Sequence, residues 1–331
     1  MTSADNVLEV RDLVVRYPVR RRSLFAPQHW VHAVNGISFS LAKGETLGIV
    51  GESGCGKTTL ARTVMRLAEP HAGSITLNGR DITHLHGEAL RRIRKDIQIV
   101  FQDPYASLDP RERVRDLVRE PLDALSPLGR KEAEERVDWL LAKVGLSAAQ
   151  GDNYPHQFSG GQRQRIGIAR ALALNPSVVL ADEPVSALDV SVRAQILNLL
   201  GDLRDEMGLS YILISHDLAV IEHVCDRVAV VYLGRIVEIG PVERIFRAPS
   251  HPYTRALLEA IPVADPTAPR RADDIYGELP SPVSPPPGCT FHPRCPLAID
   301  LCRQTRPEPT DRGDGHFAAC HRAQELVAQA G

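Results

Sequence analysis

The nine residues GESGCGKTT, at positions 51–59, decide how the chain folds around them. They follow the short apolar run GETLGIV (44–50), which predicts a buried strand. They lead into TTLARTVMRLAEP (58–70), whose apolar residues recur with helical spacing as far as a proline. A match to G-x-x-x-x-G-K-[ST] between a strand and a helix is the context that a phosphate-binding P-loop requires. The stretch therefore predicts a nucleotide-phosphate site.

The residues of this loop have separate predicted roles. The glycines let backbone N–H groups curl around the phosphates, at which the helix N-terminus points its positive end. Lys57 would reach the β- and γ-phosphates, and the Thr58 hydroxyl would ligate Mg²⁺. The predicted nucleotide-binding residues of the loop are Gly51, Ser53, Gly54, Cys55, Gly56, Lys57, Thr58 and Thr59.

A second motif, SVVLADEP (177–184), is an apolar strand that ends in two carboxylates. Doubly wound folds bind ligands at the carboxyl edge of the sheet, so this strand would deliver Asp182 to the metal. Hydrolysis needs a base beside the γ-phosphate, and Glu183 is the candidate for polarising the attacking water. The pair predicts a hydrolytic nucleotide site.

Two further motifs carry phosphate chemistry. FSGGQRQRIGIAR (158–170) places Ser159, Gly160, Gly161 and Gln162 just before a predicted helix, whose N-terminus suits an anion. Because the chain already has a P-loop, this second terminus suggests that ATP is clamped between two subunits. In SHD (215–217), His216 stands at the end of another strand, where it could contact a γ-phosphate.

The order of the segments predicts an α/β fold. Strands alternate with helices, which favours a largely parallel sheet. Residues 112–144 are charge-rich and compatible with helix, which indicates a helical insertion. The predicted strands outside the P-loop unit are VLEVRDLVVRYPV (7–19), DIQIVFQDP (96–104), SVVLADEP (177–184) and SYILISHD (210–217).

Composition limits the classes of function. The 331 residues carry a formal net charge of −2, which gives no electrostatic reason to expect nucleic acid as a partner. No segment approaches the roughly 20 consecutive apolar residues of a membrane span. No secretory signal is visible, so we expect a cytoplasmic location, in which structural disulfides are rare.

The ordered motifs GESGCGKTT, FQDP, FSGGQ, LADEP, SALD and SHD resemble the ATPase subunit of an ATP-binding cassette (ABC) transporter. The resemblance covers about residues 7–250. It implies a P-loop NTPase (RecA-like) core with an N-terminal antiparallel β subdomain, in an ATPase domain spanning residues 1–250. The helical subdomain would occupy about residues 103–160. Phe158 stands where the family more often has leucine, which is a conservative change.

The resemblance implies a role for particular residues. Tyr17 would stack on adenine, and Asp189 would reach across the dimer. Gln102 would join Thr58 and Asp182 around Mg²⁺ and sense the membrane subunits. His216 would act as the γ-phosphate switch, so that the implied catalytic residues are Glu183, His216 and Gln102.

The resemblance also implies partners. Two cassettes, the second of them a paralogue, would close around two ATP molecules, each held by one P-loop and the other subunit's Ser159–Gln162 signature. Two separate permease subunits would convert closure into transport at the cytoplasmic face of the membrane. An extracytoplasmic solute-binding protein would deliver the solute to the permease.

HPYTRALLEAIP (251–262) and GELPSPVSPPPGCTFHPRCP (277–296) resemble the C-terminal extension of dipeptide and oligopeptide importer ATPases. This extension would occupy residues 251–331. The motifs are most similar to the second of the two ATPase subunits in dipeptide importers. Nickel chelates and glutathione-like peptides stay open as solutes. A non-transport ABC ATPase and an iron–sulfur redox protein with a regulatory ATPase are alternative functions from other classes.

Four cysteines close the chain, with spacings of x₅, x₆ and x₁₇ that identify no particular metal. An all-thiol set in a reducing compartment favours a metal over disulfides, and it suits Zn²⁺ or a [4Fe–4S] cluster. The importer resemblance favours the cluster, which would pin the extension to the cassette as a structural site. The predicted ligands are Cys289, Cys295, Cys302 and Cys320.

Overall fold

A computed structural model describes residues 6–21, 23, 27–261 and 277–328. Two sheets and a layer of helices build the fold. The strands are β1 Asn6–Pro18, β2 Trp30–Ala42, β3 Thr46–Val50, β4 Ala72–Leu77, β5 Arg80–Asp81, β6 Ile97–Val100, β7 Val178–Asp182, β8 Ser210–Ile214, β9 Arg227–Tyr232, β10 Arg235–Pro241, β11 Thr310–Asp311 and β12 Phe317–Ala318.

The helices connect and cover these strands. They are α1 Lys57–Val64, α2 Gly87–Ile93, α3 Pro104–Ser107, α4 Val114–Leu125, α5 Arg130–Lys143, α6 Gly160–Ala171, α7 Val190–Met207, α8 Leu218–Val224, α9 Val242–Arg247, α10 Pro252–Glu259, α11 Asp300–Gln304 and α12 Ala323–Ala328. Short 3₁₀ turns occupy Ala148–Asp152, Pro155–Gln157 and His292–Arg294.

The smaller sheet has the order β2-β1-β4-β5. All its pairings are antiparallel. The alternation of apolar and polar residues in β1 puts Leu8, Val10, Leu13 and Val15 in the core. This is the N-terminal antiparallel β subdomain that the resemblance implied.

The larger sheet has the order β11-β12-β10-β9-β3-β8-β7-β6. The five strands β6, β7, β8, β3 and β9 run parallel, as the alternation of strands and helices predicted. Because their carboxyl ends share one edge, the loops that follow β3, β6, β7 and β8 are gathered there. The P-loop and the three other nucleotide motifs occupy these loops.

Each strand of the parallel sheet contributes to two cores, one on each face. On β8, Ile212 and Ile214 pack with the smaller sheet and α1, whereas Tyr211 and Leu213 pack on the opposite face. The alternation follows from the two-residue period of a strand. The parallel sheet is therefore buried on both sides, which holds its loops in fixed positions.

The helical insertion lies between β6 and β7. Helices α4 and α5 fall within the charge-rich stretch that predicted them, and their apolar faces are buried. The helix predicted over residues 58–70 is shorter than expected, since α1 ends at Val64. The chain leaves the helix at Arg66, which has φ of 53° and whose buried guanidinium donates to the Ile82 carbonyl oxygen at 3.0 Å.

The C-terminal segment joins the cassette through the larger sheet. β12 pairs with β10 and β11 pairs with β12, both antiparallel. Glu238 on β10 is fully buried and lies 2.7 Å from His316 Nε2, and it accepts N–H bonds from Ser250 and His251. The extension is thus bonded to the sheet edge. Within the described residues no helix is long and apolar enough to cross a membrane.

Candidate functional site

The P-loop turns tightly between β3 and α1. A Cβ on Gly51 would lie 2.2 Å from the Val231 carbonyl oxygen, and one on Gly56 would lie 2.1 Å from the Ala33 carbonyl oxygen. Both glycines also have positive φ, 152° and 108°. Glycine is therefore required at each position by space as well as by conformation. Ser53 and Gly54 are exposed at the tip of the loop, and Cys55 is buried with its thiol pKa raised by burial.

Lys57 is the first residue of α1 and is buried. Its ammonium donates to the carbonyl oxygens of Gly51 at 2.6 Å and Glu52 at 3.0 Å. The loop therefore curls around its own lysine. Thr58 and Thr59 follow on the first turn of α1, with Thr58 exposed on the side of the loop.

Asp182 ends β7 beside this helix. Burial raises the pKa of its carboxyl, and repulsion from Glu183 adds to that rise. Lys57, Arg62 and a hydrogen bond from Thr58 act in the opposite direction. The structure thus brings together Asp182 and Thr58, two of the residues predicted to bind Mg²⁺. A half-buried carboxylate beside a hydroxyl is the hard oxygen donor set that Mg²⁺ prefers, so these residues fit the metal.

Glu183, Gln102 and His216 converge at the ends of three neighbouring strands. Gln102 Nε2 donates to Glu183 Oε2 at 2.8 Å, and His216 Nδ1 lies 3.1 Å from Glu183 Oε1. Glu183 has φ of 48°, in the left-handed region that a non-glycine residue rarely occupies. Such strain is concentrated at functional sites, where the surroundings hold it in place. All three predicted catalytic side chains therefore form one cluster.

The signature residues lie apart from this cluster. Ser159 caps α6, with its Oγ accepting the Gln162 N–H at 3.3 Å and its own N–H donating to Gln162 Oε1 at 3.0 Å. A Cβ on Gly161 would lie 2.4 Å from Val192 Cγ1, so a glycine lets α6 approach α7. Across the described residues, no hydrogen bond or ion pair joins Ser159–Gln162 to the P-loop of the same chain.

Two predicted contacts stay predictions. Tyr17 is 41% exposed on β1 and is paired with Val31, two residues from the Ala33 carbonyl that approaches the P-loop. Its ring is therefore accessible near the loop. Asp189 is exposed at the start of α7, beside Val190, which is 80% exposed.

The four C-terminal cysteines line one small pocket together with Phe291 and His292. Burial raises the thiol pKa of Cys289, that of Cys295 to about 11 and that of Cys320 to about 12. All six cysteines of the chain lie within the described residues, and all are free thiols.

An all-thiol pocket has the donor chemistry for zinc or an iron–sulfur cluster. Among the residues that the structure describes, however, no group of three or more His, Cys, Asp or Glu is arranged to hold a metal ion. The structure therefore brings the thiols to one pocket but does not support the predicted [4Fe–4S] cluster.

The sequence analysis did not predict the two residues of the C-terminal segment that contact Glu52 of the P-loop. Glu52 forms a two-fold ion pair with Arg294, and its backbone N–H donates to the Tyr253 hydroxyl at 2.9 Å. Tyr253 belongs to the HPY stretch and Arg294 to the cysteine segment. Their positions in quoted motifs were the only signal in the sequence.

Two family descriptions match the sequence. Residues 34–186 match the family described as ABC transporter. Residues 237–302 match the one described as the C-terminal region of oligopeptide and dipeptide transporters.

Curated relatives match over nearly the whole chain. The oligopeptide transport ATP-binding protein AppF of Bacillus subtilis is 50% identical over 97% of this chain and 99% of its own. The dipeptide transport ATP-binding protein DppF of Escherichia coli is 50% identical over 95% of this chain and 93% of its own.

Solved structures match the cassette. A dimeric ATP-binding cassette in a post-hydrolysis state, bound to ADP and phosphate, is 28% identical with a TM-score of 0.63. It covers 71% of this chain and 98% of its own. CbiO1 from Clostridium perfringens, part of an ABC transporter complex, is 30% identical with a TM-score of 0.64, over 73% of this chain and 91% of its own.

Proposed function

The chain belongs to the ABC transporter family of ATP-binding proteins, and from that membership we propose that it hydrolyses ATP to power the import of dipeptides or oligopeptides. The observation that carries the proposal is the Glu183 carboxylate, held by Gln102 and His216 at the sheet edge where the P-loop begins. The assignment to peptide import is supported by the relatives. They match most of this chain and are named as oligopeptide and dipeptide transport proteins.

ATP hydrolysis would use residues of one edge of the sheet. The backbone of the P-loop would bind the phosphates, and Lys57 would leave its carbonyl partners for them. Thr58, Asp182 and Gln102 would hold Mg²⁺, which neutralises phosphate charge when bound. Glu183 would orient the attacking water and accept its proton, and His216 would contact the γ-phosphate. Tyr17 would stack on the adenine ring.

The signature would act on the ATP of a second subunit. Two observations support this: Ser159, which caps α6, is exposed, and in the described residues the N-terminus of α6 makes no bond to its own P-loop. A solved relative is described as dimeric. The second subunit would be a paralogous ATPase, and Asp189 would lie at the same interface. Two permease subunits would bind the pair at the cytoplasmic face of the membrane, and a solute-binding protein would supply them.

Each part of the chain would have its own role. Residues 1–250 would form the ATPase domain, with its helical subdomain at about residues 103–160, and residues 251–331 the importer-type extension. Residues 262–276 and 329–331 of that extension lie outside the described residues.

The cysteine pocket would bind a metal that pins the extension. We propose a [4Fe–4S] cluster, with Zn²⁺ as the alternative, on Cys289, Cys295, Cys302 and Cys320. The supporting observations are that all four thiols line one pocket and that none of them forms a disulfide. The role would be structural, because the segment is short and has few apolar core positions of its own.

Uptake by cells tests the proposal. Cells that lack this chain would be supplied with the wild-type gene or with K57A, and uptake of a radiolabelled dipeptide would be measured beside the MgATP hydrolysis of the purified chain. We expect wild type to restore uptake and K57A to fail in both assays. Hydrolysis by wild type without any restored peptide uptake would contradict peptide import and favour another solute or a non-transport ATPase.

A further inference from the structure

Glu52, the second residue of the P-loop, is held through its side chain, its amide and its carbonyl. Arg294 donates from Nη1 to Oε2 at 2.8 Å and from Nη2 to Oε1 at 3.0 Å. The Glu52 N–H donates to the Tyr253 hydroxyl at 2.9 Å, and the Glu52 carbonyl accepts from Lys57 at 3.0 Å. A chain of direct contacts therefore runs from Arg294 through Glu52 to the lysine that would bind phosphate.

The ion pair lies in a setting that fixes its geometry. Arg294 is 8% exposed, and its guanidinium lies 5.8 Å from the Tyr232 ring centroid. Tyr232, Tyr253 and Phe291 pack as one buried aromatic cluster, with ring centroids 4.7 to 5.4 Å apart. A bidentate pair of guanidinium and carboxylate fixes direction as well as distance, and burial strengthens it. The aromatic rings leave the pair little freedom to rearrange.

Arg294 comes from a distant part of the chain, since 242 positions separate it from Glu52. It ends the 3₁₀ turn His292–Arg294 and directly precedes Cys295. Tyr253, on α10, is likewise outside the cassette motifs. Both anchors of the loop therefore belong to the C-terminal extension.

We infer that Arg294 and Tyr253 are positioning residues for the ATP site, which hold Glu52 so that the P-loop is ordered before nucleotide arrives. The inference rests on the proposed ATPase function. A loop that must order on binding loses affinity through the conformational entropy that it gives up, and a loop already fixed does not. Removing the anchors should therefore weaken ATP binding. It should affect the chemical step less, because the contacts of the two anchors in the described part of the chain lead to Glu52 and not to Glu183, Gln102 or His216.

The test compares the affinity for a fluorescent ATP analogue with the steady-state KM and kcat for MgATP, using the full chain. We expect R294Q and E52Q each to raise Kd and KM about tenfold, while kcat changes less than about threefold. The tenfold change in Kd corresponds to a loss of about 1.4 kcal/mol in the free energy of ATP binding. The double variant should be no worse than the more affected single one, because both remove the same pair. R294K keeps the positive charge but cannot donate two parallel hydrogen bonds to the carboxylate as a guanidinium does. Its KM should therefore fall between those of wild type and R294Q.

The control is R306Q, which removes an exposed arginine of the same extension paired with Glu308 at 3.3 Å. It should leave KM and Kd unchanged. R294Q with a lower melting temperature but wild-type ATP affinity would show a merely structural role and overturn the inference. If R294Q does not fold, Y253F and R294K decide, and unchanged ATP affinity in both would overturn it. Wild type that does not bind ATP would instead defeat the proposed ATPase function.

Discussion

Gln102 Nε2 donates a 2.8 Å hydrogen bond to one carboxylate oxygen of Glu183. Because the amide donates through its nitrogen, its oxygen stays available for a metal ion, and the two predicted roles of Gln102 are compatible. His216 lies 3.1 Å from the other oxygen of Glu183. The carboxylate is thus oriented from both sides, by side chains that follow β6 and β8, the two strands that flank β7. A carboxylate fixed in this way has the defined orientation that the proposed general base needs.

Removing the charge of this base should stop hydrolysis without stopping binding. We expect E183Q to lower kcat for MgATP by about 100-fold or more, since general-base contributions are typically 10²–10⁴-fold. Its affinity for ATP should stay within about threefold of wild type, and with ATP it should accumulate as a dimer. Single-turnover hydrolysis and size-exclusion chromatography would measure these effects. E222Q removes an exposed carboxylate of α8 and serves as the control. Wild-type turnover in E183Q would exclude Glu183 as the base.

The convergence of these side chains could be predicted from the sequence because it follows from topology. Each motif ends a strand, and parallel strands share one carboxyl edge, so GESGCGKTT, LADEP and SHD had to meet. Local patterns do not reveal long-range contacts. The helix predicted over residues 58–70 stops at Val64, and Arg66 just beyond it has a left-handed backbone and bonds to the Ile82 carbonyl, which no periodicity indicates. The ion pair between Glu52 and Arg294 could not be predicted for the same reason, although both residues lie in motifs that the sequence marks.

Two glycines, one in the turn between β2 and β3 and one in the P-loop, separate the cost of a left-handed backbone from the cost of a steric clash. Gly44 and Gly56 both have positive φ, 76° and 108°, but only a Cβ on Gly56 would strike backbone. We expect G44A to lower the free energy of unfolding by about 1–2 kcal/mol, the usual cost of the left-handed conformation. G56A should lose about 2–5 kcal/mol, because the backbone must also move away from Ala33, and it should lose ATP binding. Urea denaturation would measure both. Equal losses would show that the close approach to Ala33 does not matter.

His251 predicts how stability depends on pH. It is fully buried, and burial lowers its pKa from 6.5 to about 3. Its Nδ1 accepts the Tyr253 N–H at 3.1 Å, which requires the neutral ring. Between pH 6.5 and about 3, His251 is protonated in the unfolded chain but neutral in the folded chain. The contribution of His251 to the free energy of unfolding is therefore full above pH 6.5 and is lost as the pH falls. We expect a loss of about 1 kcal/mol per pH unit below about pH 6 from this residue.

The matched variant is H251N, because asparagine can still cap α10 through a side-chain oxygen but does not titrate. Urea denaturation from pH 7.5 to 4.5 should show a shallower fall in the free energy of unfolding for H251N than for wild type. H86N, which changes an exposed histidine, should follow the wild-type slope. An H251N slope equal to that of wild type would mean that His251 does not control acid stability.

The cysteine pocket should determine the metal content of the protein. The full chain, purified without oxygen, should carry iron and acid-labile sulfide in equal amounts, about four of each per chain for a [4Fe–4S] cluster. C295S removes one of the four thiols that line the pocket, and we expect it to lose most of this metal. C225S removes a buried thiol outside the pocket and should keep it, which controls for the general effect of losing a cysteine. One zinc without sulfide would replace the cluster by the alternative metal, whereas wild type without iron or zinc would contradict a metal site. Metal retained in C295S would mean that Cys295 is not a ligand.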